Sequence, residues 1–295
     1  ESRDVESQPS VQASSALMGK ISGVQVVQNS GQPGANQGQI TIRGLGTLGN
    51  TNPLVIVDGI QGNLDDIPSN DIESISVLKD ASAASIYGSR AANGVILVTT
   101  KRGSKGELQV NYSGHTGWQT ATRQPEFVGA TRFMELQNLG NRNLGEEELF
   151  TQEQIEQSRQ NSPSDRFPDT DWVAEVFNQD AFQTRQSLGV SGGSEKMRYR
   201  ASLNYDEQNG EVSNFSFKRY NIRLNTNVDV SPKFDFIADL NLQRSDREAP
   251  SAGLNDITRQ AFRIPPTQGG RFSFGELGPG WNGFNPIGFA EEGGL

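Results

Sequence analysis

The second half of the chain alternates apolar and polar residues with a period of two, over segments long enough to cross a membrane as strands. Tyr199, Ala201, Leu203 and Tyr205 fall on one side of an extended segment, and Arg198, Arg200, Ser202 and Asn204 on the other. Tyr220, Ile222, Leu224, Val228 and Val230 oppose Asn221, Arg223, Asn225, Asn227 and Asp229. Phe234, Phe236, Ala238, Leu240 and Leu242 oppose Asp235, Asp239, Asn241 and Gln243. Leu108, Val110, Tyr112, Thr116 and Trp118 alternate with Gln109, Asn111, Ser113 and His115, and Leu188 and Val190 project from a fifth segment at Phe182–Gly192. A helix cannot use this pattern, because its faces recur every 3.6 residues.

Alternation alone also fits a soluble antiparallel sheet with one wet face. Two further features favour a transmembrane β-barrel. The polar face is charged and amide-rich along its whole length, as a water-filled lumen requires, and aromatics sit near strand ends. The connections also alternate in length: Gly192–Lys196 and Ser231–Lys233 are tight, whereas Thr120–Ala181, Glu207–Ser216 and the segment from Asp246 are read as long. Outer-membrane barrels pair short periplasmic turns with long extracellular loops. With the first half on the periplasmic side, the 120–181 segment would be extracellular. It carries helical pieces at Arg132–Leu139, at a Thr151-x-x-Gln154 capping box and at Asp171–Phe177. Five strands fall short of the about eight that close a barrel, and an open edge in lipid leaves backbone groups unpaired. The chain therefore reads as a piece of a longer barrel, with a further strand expected from Glu291–Leu295.

Composition is consistent with this and excludes other classes. Only 33% of the 295 residues are apolar and 33 are glycine, a balance suited to turn-rich β structure with polar faces. A net charge of −9 argues against nucleic acid as a partner, and the absence of cysteine rules out disulfides and thiolate metal sites. No apolar stretch approaches the ~20 residues of a transmembrane helix, a fact that leaves barrel strands untouched.

The first hundred residues have a different grammar. A helical candidate at Ser14–Lys20 leads to strands at Val24–Gln28, Gln39–Arg43 and Leu54–Val57. The run from Ser74 to Gly103 then reads as strand, a compact helix of small residues at Ala81–Tyr87, a break at Gly88, Asn93 and Gly94, and a buried strand at Val95–Thr100. Together these predict a small α+β unit around a mixed sheet.

Several apparent chemical motifs dissolve on inspection. Gly44-Leu45-Gly46-Thr47-Leu48-Gly49 matches a dinucleotide fingerprint, but Asn52-Pro53 and a strand follow where a helix is needed, so it reads as a plain glycine-rich connection. His115 is the only histidine and cannot build a two-His site; it reads as a lumen-facing polar residue. Asp58 in Val57-Asp58-Gly59 reads as turn chemistry, and Asp65, Asp66 and Asp71 around Pro68 as a solvated turn with helix-capping acids. Phe272, Phe274, Trp281, Phe284 and Phe289 read as loop self-packing or partner docking ahead of sugar or peptide stacking. No coupled acid, base or nucleophile set stands out, so the chain is not read as an enzyme.

Four ordered blocks carry a resemblance: Ala16–Gly34, Ile40–Leu48, Asn52–Ile60 and Asp71–Gly103 closely resemble the plug domain of SusC/RagA-type TonB-linked outer-membrane receptors. Val190–Val212 and Phe217–Val230 resemble early barrel strands of that family. The residues matching its plug motifs are Arg43, Gly44, Asp58, Gly59, Lys79, Asp80, Tyr87, Gly88, Arg90, Asn93, Gly94, Lys101 and Gly103, all expected to be structural.

The resemblance implies an α+β plug over residues 1–105, followed from residue 106 to 295 by the first antiparallel strands of a barrel of about 22 strands. It implies active import of an oligosaccharide or peptide across the outer membrane of a Gram-negative, Bacteroidetes-like bacterium. The implied partners are the TonB complex, a SusD-like surface lipoprotein and outer-membrane lipid, with no cofactor. Lys101–Gly106 would be the hinge between plug and first strand. The family's signal peptide, carboxypeptidase-like domain and TonB-contacting box have no counterpart in this sequence. Rival readings are a TonB-dependent siderophore or cobalamin receptor and a secreted β-rich adhesion or scaffold protein.

Overall fold

The computed structural model describes residues 12–42, 44, 51–79, 85–177 and 180–292. Its N-terminal elements are α1 (Ala13–Ala16), β1 (Val24–Gln28), β2 (Gly38–Ile42), β3 (Leu54–Val57), β4 (Ile60–Gln61), β5 (Ile72–Leu78) and β6 (Val95–Thr100). Residues branched at Cβ dominate β6 and favour the pleated backbone, and β6 lies inside a four-stranded sheet of order β4-β3-β6-β5. The sheet is mixed, as expected. β3 runs parallel to β6 with Leu54 opposite Val95, and β5 runs antiparallel with Ile75 opposite Val98 and a bulge between Ile72 and Ser74. The turn joining β3 to β4 is Asp58–Gly59, with φ of 49° and 90°, the left-handed pair that matches the twist of a two-residue hairpin.

One face of this sheet buries Ile72, Ile96 and Val98 against Leu64, Ile67, Ala13, Ala16 and the separate β1–β2 ribbon at Val26, Ile40 and Ile42. The other face holds a smaller cluster of Ile56, Ala91 and Val95.

Five long strands follow: β7 (Gly106–Gln119), β8 (Ala181–Gly193), β9 (Met197–Asn209), β10 (Ser216–Ser231) and β11 (Phe234–Glu248), hydrogen-bonded in chain order. β8 and β9 are antiparallel with Leu188 opposite Leu203 and Ser187 opposite Asn204. The sheet is not closed. Burial on it is inverted relative to a soluble protein. Leu203 and Ile222 are 50% and 47% exposed, whereas Asn221 and Asn225 on the other face are 1% and 2% exposed. The apolar side faces outward along all five strands, from Leu108 and Val110 on β7 to Leu240 and Leu242 on β11.

The chain divides into two compact units. The first holds the mixed sheet and most of the long strands, over residues 1–117, 182–208 and 217–247. The second gathers the β7–β8 and β9–β10 connections and the segment after β11. It contains α2 (Ala130–Leu144), α3 (Gln152–Asn161), α4 (Trp172–Val176), α5 (Leu254–Ala261) and α6 (Pro286–Glu292). Its own core packs Trp172, Val176, Val212, Phe215, Ile257, Ile264 and Ile287. The Trp172 indole N–H donates to the Pro265 carbonyl at 3.1 Å, which satisfies its polar edge inside that core. Thr151 and Gln154 form the expected capping box on α3, and Asp171 caps α4.

Several expectations change. The helix expected at Ser14–Lys20 is the single turn α1, because Leu17 already leaves the helix. The β9–β10 connection is only residues 210–215, since both strands extend beyond their alternating cores. α2 is longer than Arg132–Leu139 and ends at a left-handed Gly145. Glu291 belongs to helix α6, not to a new strand. Of the helix expected at Ala81–Tyr87, residues 81–84 lie outside the described residues. From Ser85 to Ala91 the chain forms a 3-10 helix kinked at Gly88 (φ 68°).

Ile96 is fully buried at the centre of the sheet, so Ile96→Ala should cost about 2–5 kcal/mol from lost burial and the cavity left behind. Urea-dependent hydrogen exchange of the β6 amides measures this, with the cost confined to the mixed sheet.

Candidate functional site: a buried ionic seam

The polar faces of β8, β9 and β10 are not bathed in water. They pack on the mixed sheet, and the expectation of a solvent-filled lumen along them is corrected: Ser187, Ser202, Asn204, Asp206, Arg219 and Arg223 are all buried. Charges cannot be buried unless partnered, and here the buried carboxylates of Asp58 and Asp71 are met by donors from the strands.

Asp71 ends the short 3-10 turn Ser69–Asp71 and is 1% exposed. Its Oδ2 accepts from Ser202 Oγ at 2.7 Å and Asn204 Nδ2 at 2.9 Å, and its Oδ1 from Arg200 at 3.3 Å. The Asp71 carbonyl accepts from the Lys101 backbone N–H at 2.8 Å.

Asp58 occupies the β3–β4 turn. Its carboxylate accepts the Thr100 N–H at 2.9 Å and the Thr100 hydroxyl at 2.6 Å, and it is ion-paired to Arg223 on β10. The same guanidinium donates to Thr100 Oγ1 at 2.9 Å. Thr100 at the end of β6 thus holds the Asp58 carboxylate, and Lys101 just after it holds the Asp71 backbone.

Asp206 on β9 is shared by Arg185 from β8 at 2.9 Å and Arg219 from β10 at 2.8 Å. Each arginine also reaches the N-terminal unit, Arg185 at Ser69 Oγ (2.8 Å) and Arg219 at the Asp65 carbonyl. Arg102, in the connection to β7, is held by Asp239 at 2.8 Å and Asn227 at 3.2 Å.

Asp65 is 5% exposed and accepts the Ser14 N–H at 2.8 Å. Burial pushes its carboxyl above the ordinary 3.8, against the opposing pull of the Ser14 hydrogen bond and the Arg219 charge. The solvated turn expected for Asp65 and Asp71 is thereby overturned.

The seam takes in three of the motif residues read from sequence. Asp58 and the Lys101 backbone are two of them. Gly103 is the third: a Cβ there would lie 2.2 Å from the Tyr199 carbonyl oxygen, so only glycine permits this approach to β9. The other described motif residues sit in connections between the N-terminal strands. Gly44, Gly59, Gly88 and Gly94 have positive φ, and at Gly94 a Cβ would also press on Ile42 at 2.8 Å. Lys79 donates to the Ser22 carbonyl, Asn93 to the Asn52 carbonyl at 3.4 Å, and Tyr87 packs beside Ala91 and Val95. Arg90 lies with Asn93 on the wall of an open cleft of about 780 Å³. Arg43 and Asp80 lie outside the described residues, as does most of the Gly44–Gly49 motif. His115 is exposed on the polar parity of β7. Among the described residues no group of His, Cys, Asp or Glu is placed to hold a metal ion.

Sequence reading missed Asp71, Thr100, Asp206, Arg219 and Arg223. The available signal was arginines and an aspartate at inward positions of strands whose other face is apolar.

A mixed sheet fastened by buried ion pairs to the polar side of strands with an exposed apolar back is a plug seated on a membrane-barrel wall. Comparison with known proteins agrees. The profile described as TonB-dependent Receptor Plug Domain matches residues 1–95. The chain is 34% identical to TonB-dependent receptor P3 of Formosa agariphila over 99% of its own length and 28% of that protein. It is 33% identical to TonB-dependent receptor SusC of Bacteroides thetaiotaomicron over 75% of its length and 21% of that protein. The solved RagAB peptide importer in its open-open state superposes with a TM-score of 0.79 at 27% identity, over 94% of this chain and 33% of that one. The chain belongs to the TonB-dependent receptors of the SusC/RagA type. It spans between a fifth and a third of the lengths of these relatives.

Removing one partner of a buried pair strands the other. Arg223→Met should destabilise the plug–wall unit by about 3–5 kcal/mol, and adding Asp58→Asn should recover most of that loss. Urea titration of the single and double variants checks this. Asp65 carries a pH dependence of its own. Its folded pKa is raised, so the folded state binds the proton more tightly than the unfolded chain. Stability should therefore rise as pH falls through the folded pKa toward the ordinary value. Asp65→Asn should remove that component, seen as a flatter melting temperature against pH across the acid range.

Proposed function

We propose that this chain is the plug and the first barrel strands of an outer-membrane importer driven by the TonB complex. The observation that carries the reading is the seam: a folded sheet held in the lumen by groups that water can replace. Moving an apolar interface apart exposes surface at about 25 cal/mol per Å². Moving this one exchanges hydrogen bonds between the partners for hydrogen bonds to water, so the plug can be firmly seated yet displaced without unfolding.

The plug is assigned to residues 1–105 and the barrel to residues from 106, with the motif residues in structural roles. The exposed apolar face of β7–β11 would meet outer-membrane lipid. The tight turns at 194–196 and 232–233 would face the periplasm, and the helical 120–181 segment the outside. The cargo class is an oligosaccharide or peptide, taken up with a SusD-like lipoprotein over the barrel. Support for the peptide end of that range is the likeness to RagAB, a peptide importer.

Cells expressing the complete receptor should lose at least tenfold of their uptake of its oligosaccharide or peptide cargo when TonB is deleted, and protease added to intact cells should nick within 120–181 and not at 194–196. Uptake unchanged without TonB would overturn the import reading; cleavage at 194–196 would reverse the orientation.

A further inference from the structure

Among the five strands the seam leaves β7 out. The plug's polar bridges described above run to β8, β9, β10 and β11. Among the described residues, none reaches the side chains of Gln109, Asn111 or Ser113 on the polar parity of β7, and all three are exposed. Between them and the plug lies a cavity of about 830 Å³, bounded on the plug side by Asn70 and Glu73 and on β8 by Ser187, Gly189 and Ser191.

The lining is chemically selective. Amides and hydroxyls each present a donor and an acceptor, so Asn70, Gln109, Asn111, Ser113 and Ser191 can match a chain that alternates the same groups, while Ser187, whose proton goes to Asn204, offers an acceptor alone. The lining cations are committed: Arg200 to Asp71, Arg102 to Asp239, and Lys101 is not free either, while Glu73 adds negative charge that disfavours an anionic chain. Gly189 contributes to the width. A Cβ there would come within 3.3 Å of the Arg200 guanidinium, so its absence keeps both the gap and the Arg200–Asp71 pair. The cavity is large enough for several sugar units or residues of an extended chain, by the size range of ligand pockets.

We propose that this cavity is a binding groove for an uncharged, hydrogen-bonding chain, accessible while the ionic seam stays closed. The proposal rests on the import reading for its biological sense, but its test needs no energised TonB. These 295 residues contain no cysteine, so single thiols can be placed cleanly. In the complete receptor, with any cysteine elsewhere replaced, Asn111→Cys and Ser113→Cys are compared with Asn221→Cys, whose side chain is buried on β10.

A neutral biotin–polyethylene glycol maleimide should modify the two groove thiols at least tenfold faster than the β10 thiol. Millimolar maltoheptaose, or an acetylated and amidated Ser-Gly hexapeptide, should slow groove labelling at least threefold, and whichever probe does so identifies the source of the chain. Hexaglutamate should leave the rate unchanged. Labelling no faster than at Asn221→Cys, protection by neither neutral probe, or protection by hexaglutamate equal to theirs would each overturn the groove. TonB-dependent uptake that persists alongside such a failure would leave the import reading standing; TonB-independent uptake with labelling as expected would remove only that reading.

Discussion

The pairing of Asp58 and Asp71 with donors from the strands is the constraint on which the rest of the first unit depends. A carboxylate 1% exposed, like Asp71, is tolerable only while Arg200, Ser202 and Asn204 surround it. That fixes the register of β9 against the plug, because a slip of one residue would turn those side chains to the apolar face. Thr100 extends the constraint to β6, since it shares both Asp58 and Arg223. The short connection from Thr100 to β7 then leaves little freedom in where the first strand begins. Gly103 removes more of it by lying against the backbone of Tyr199.

What was legible in the sequence was local. Period-two alternation located all five long strands, because which face is apolar depends only on neighbours two residues away. The same holds for the β-branched run of β6 and for the Thr151–Gln154 capping box, whose partners are three residues apart. The seam was hidden because its partners are remote: 129 residues separate Asp71 from Arg200, and 165 separate Asp58 from Arg223. Reading Asp58-Gly59 as a turn was right about the backbone and silent about the carboxylate, which the turn aims at Thr100. The acids near Pro68 were read as solvated because nothing local offered them a cation. Chain reversal also misled at the β9–β10 connection, where the strands continue past their regular alternation and shorten the loop.

The second unit follows different physics. Its core of Trp172, Ile257, Ile264 and Ile287 is apolar, and its polar groups are satisfied locally, as where Asn285 accepts from Ile287 N–H and donates to the Gly270 and Gly278 carbonyls. The connections between strands are therefore folded before any ligand arrives. A surface ordered in this way has already given up much of the chain entropy that a floppy loop would lose on binding.

Asp206 differs from the two plug carboxylates in one respect with an electrical consequence. Both of its arginine partners belong to the wall, so it keeps them wherever the plug is. Asp58 and Asp71 leave Arg223 and Arg200 behind if the plug moves away. Displacement would then act like the separation of capacitor plates: the two aspartates outnumber Arg102, whose bridge to Asp239 has the opposite polarity, so net negative charge leaves with the sheet and net positive charge stays on the strands. The attraction between them would be screened within about 8 Å at physiological ionic strength, so the plug would be drawn home only over the last few ångströms of its return.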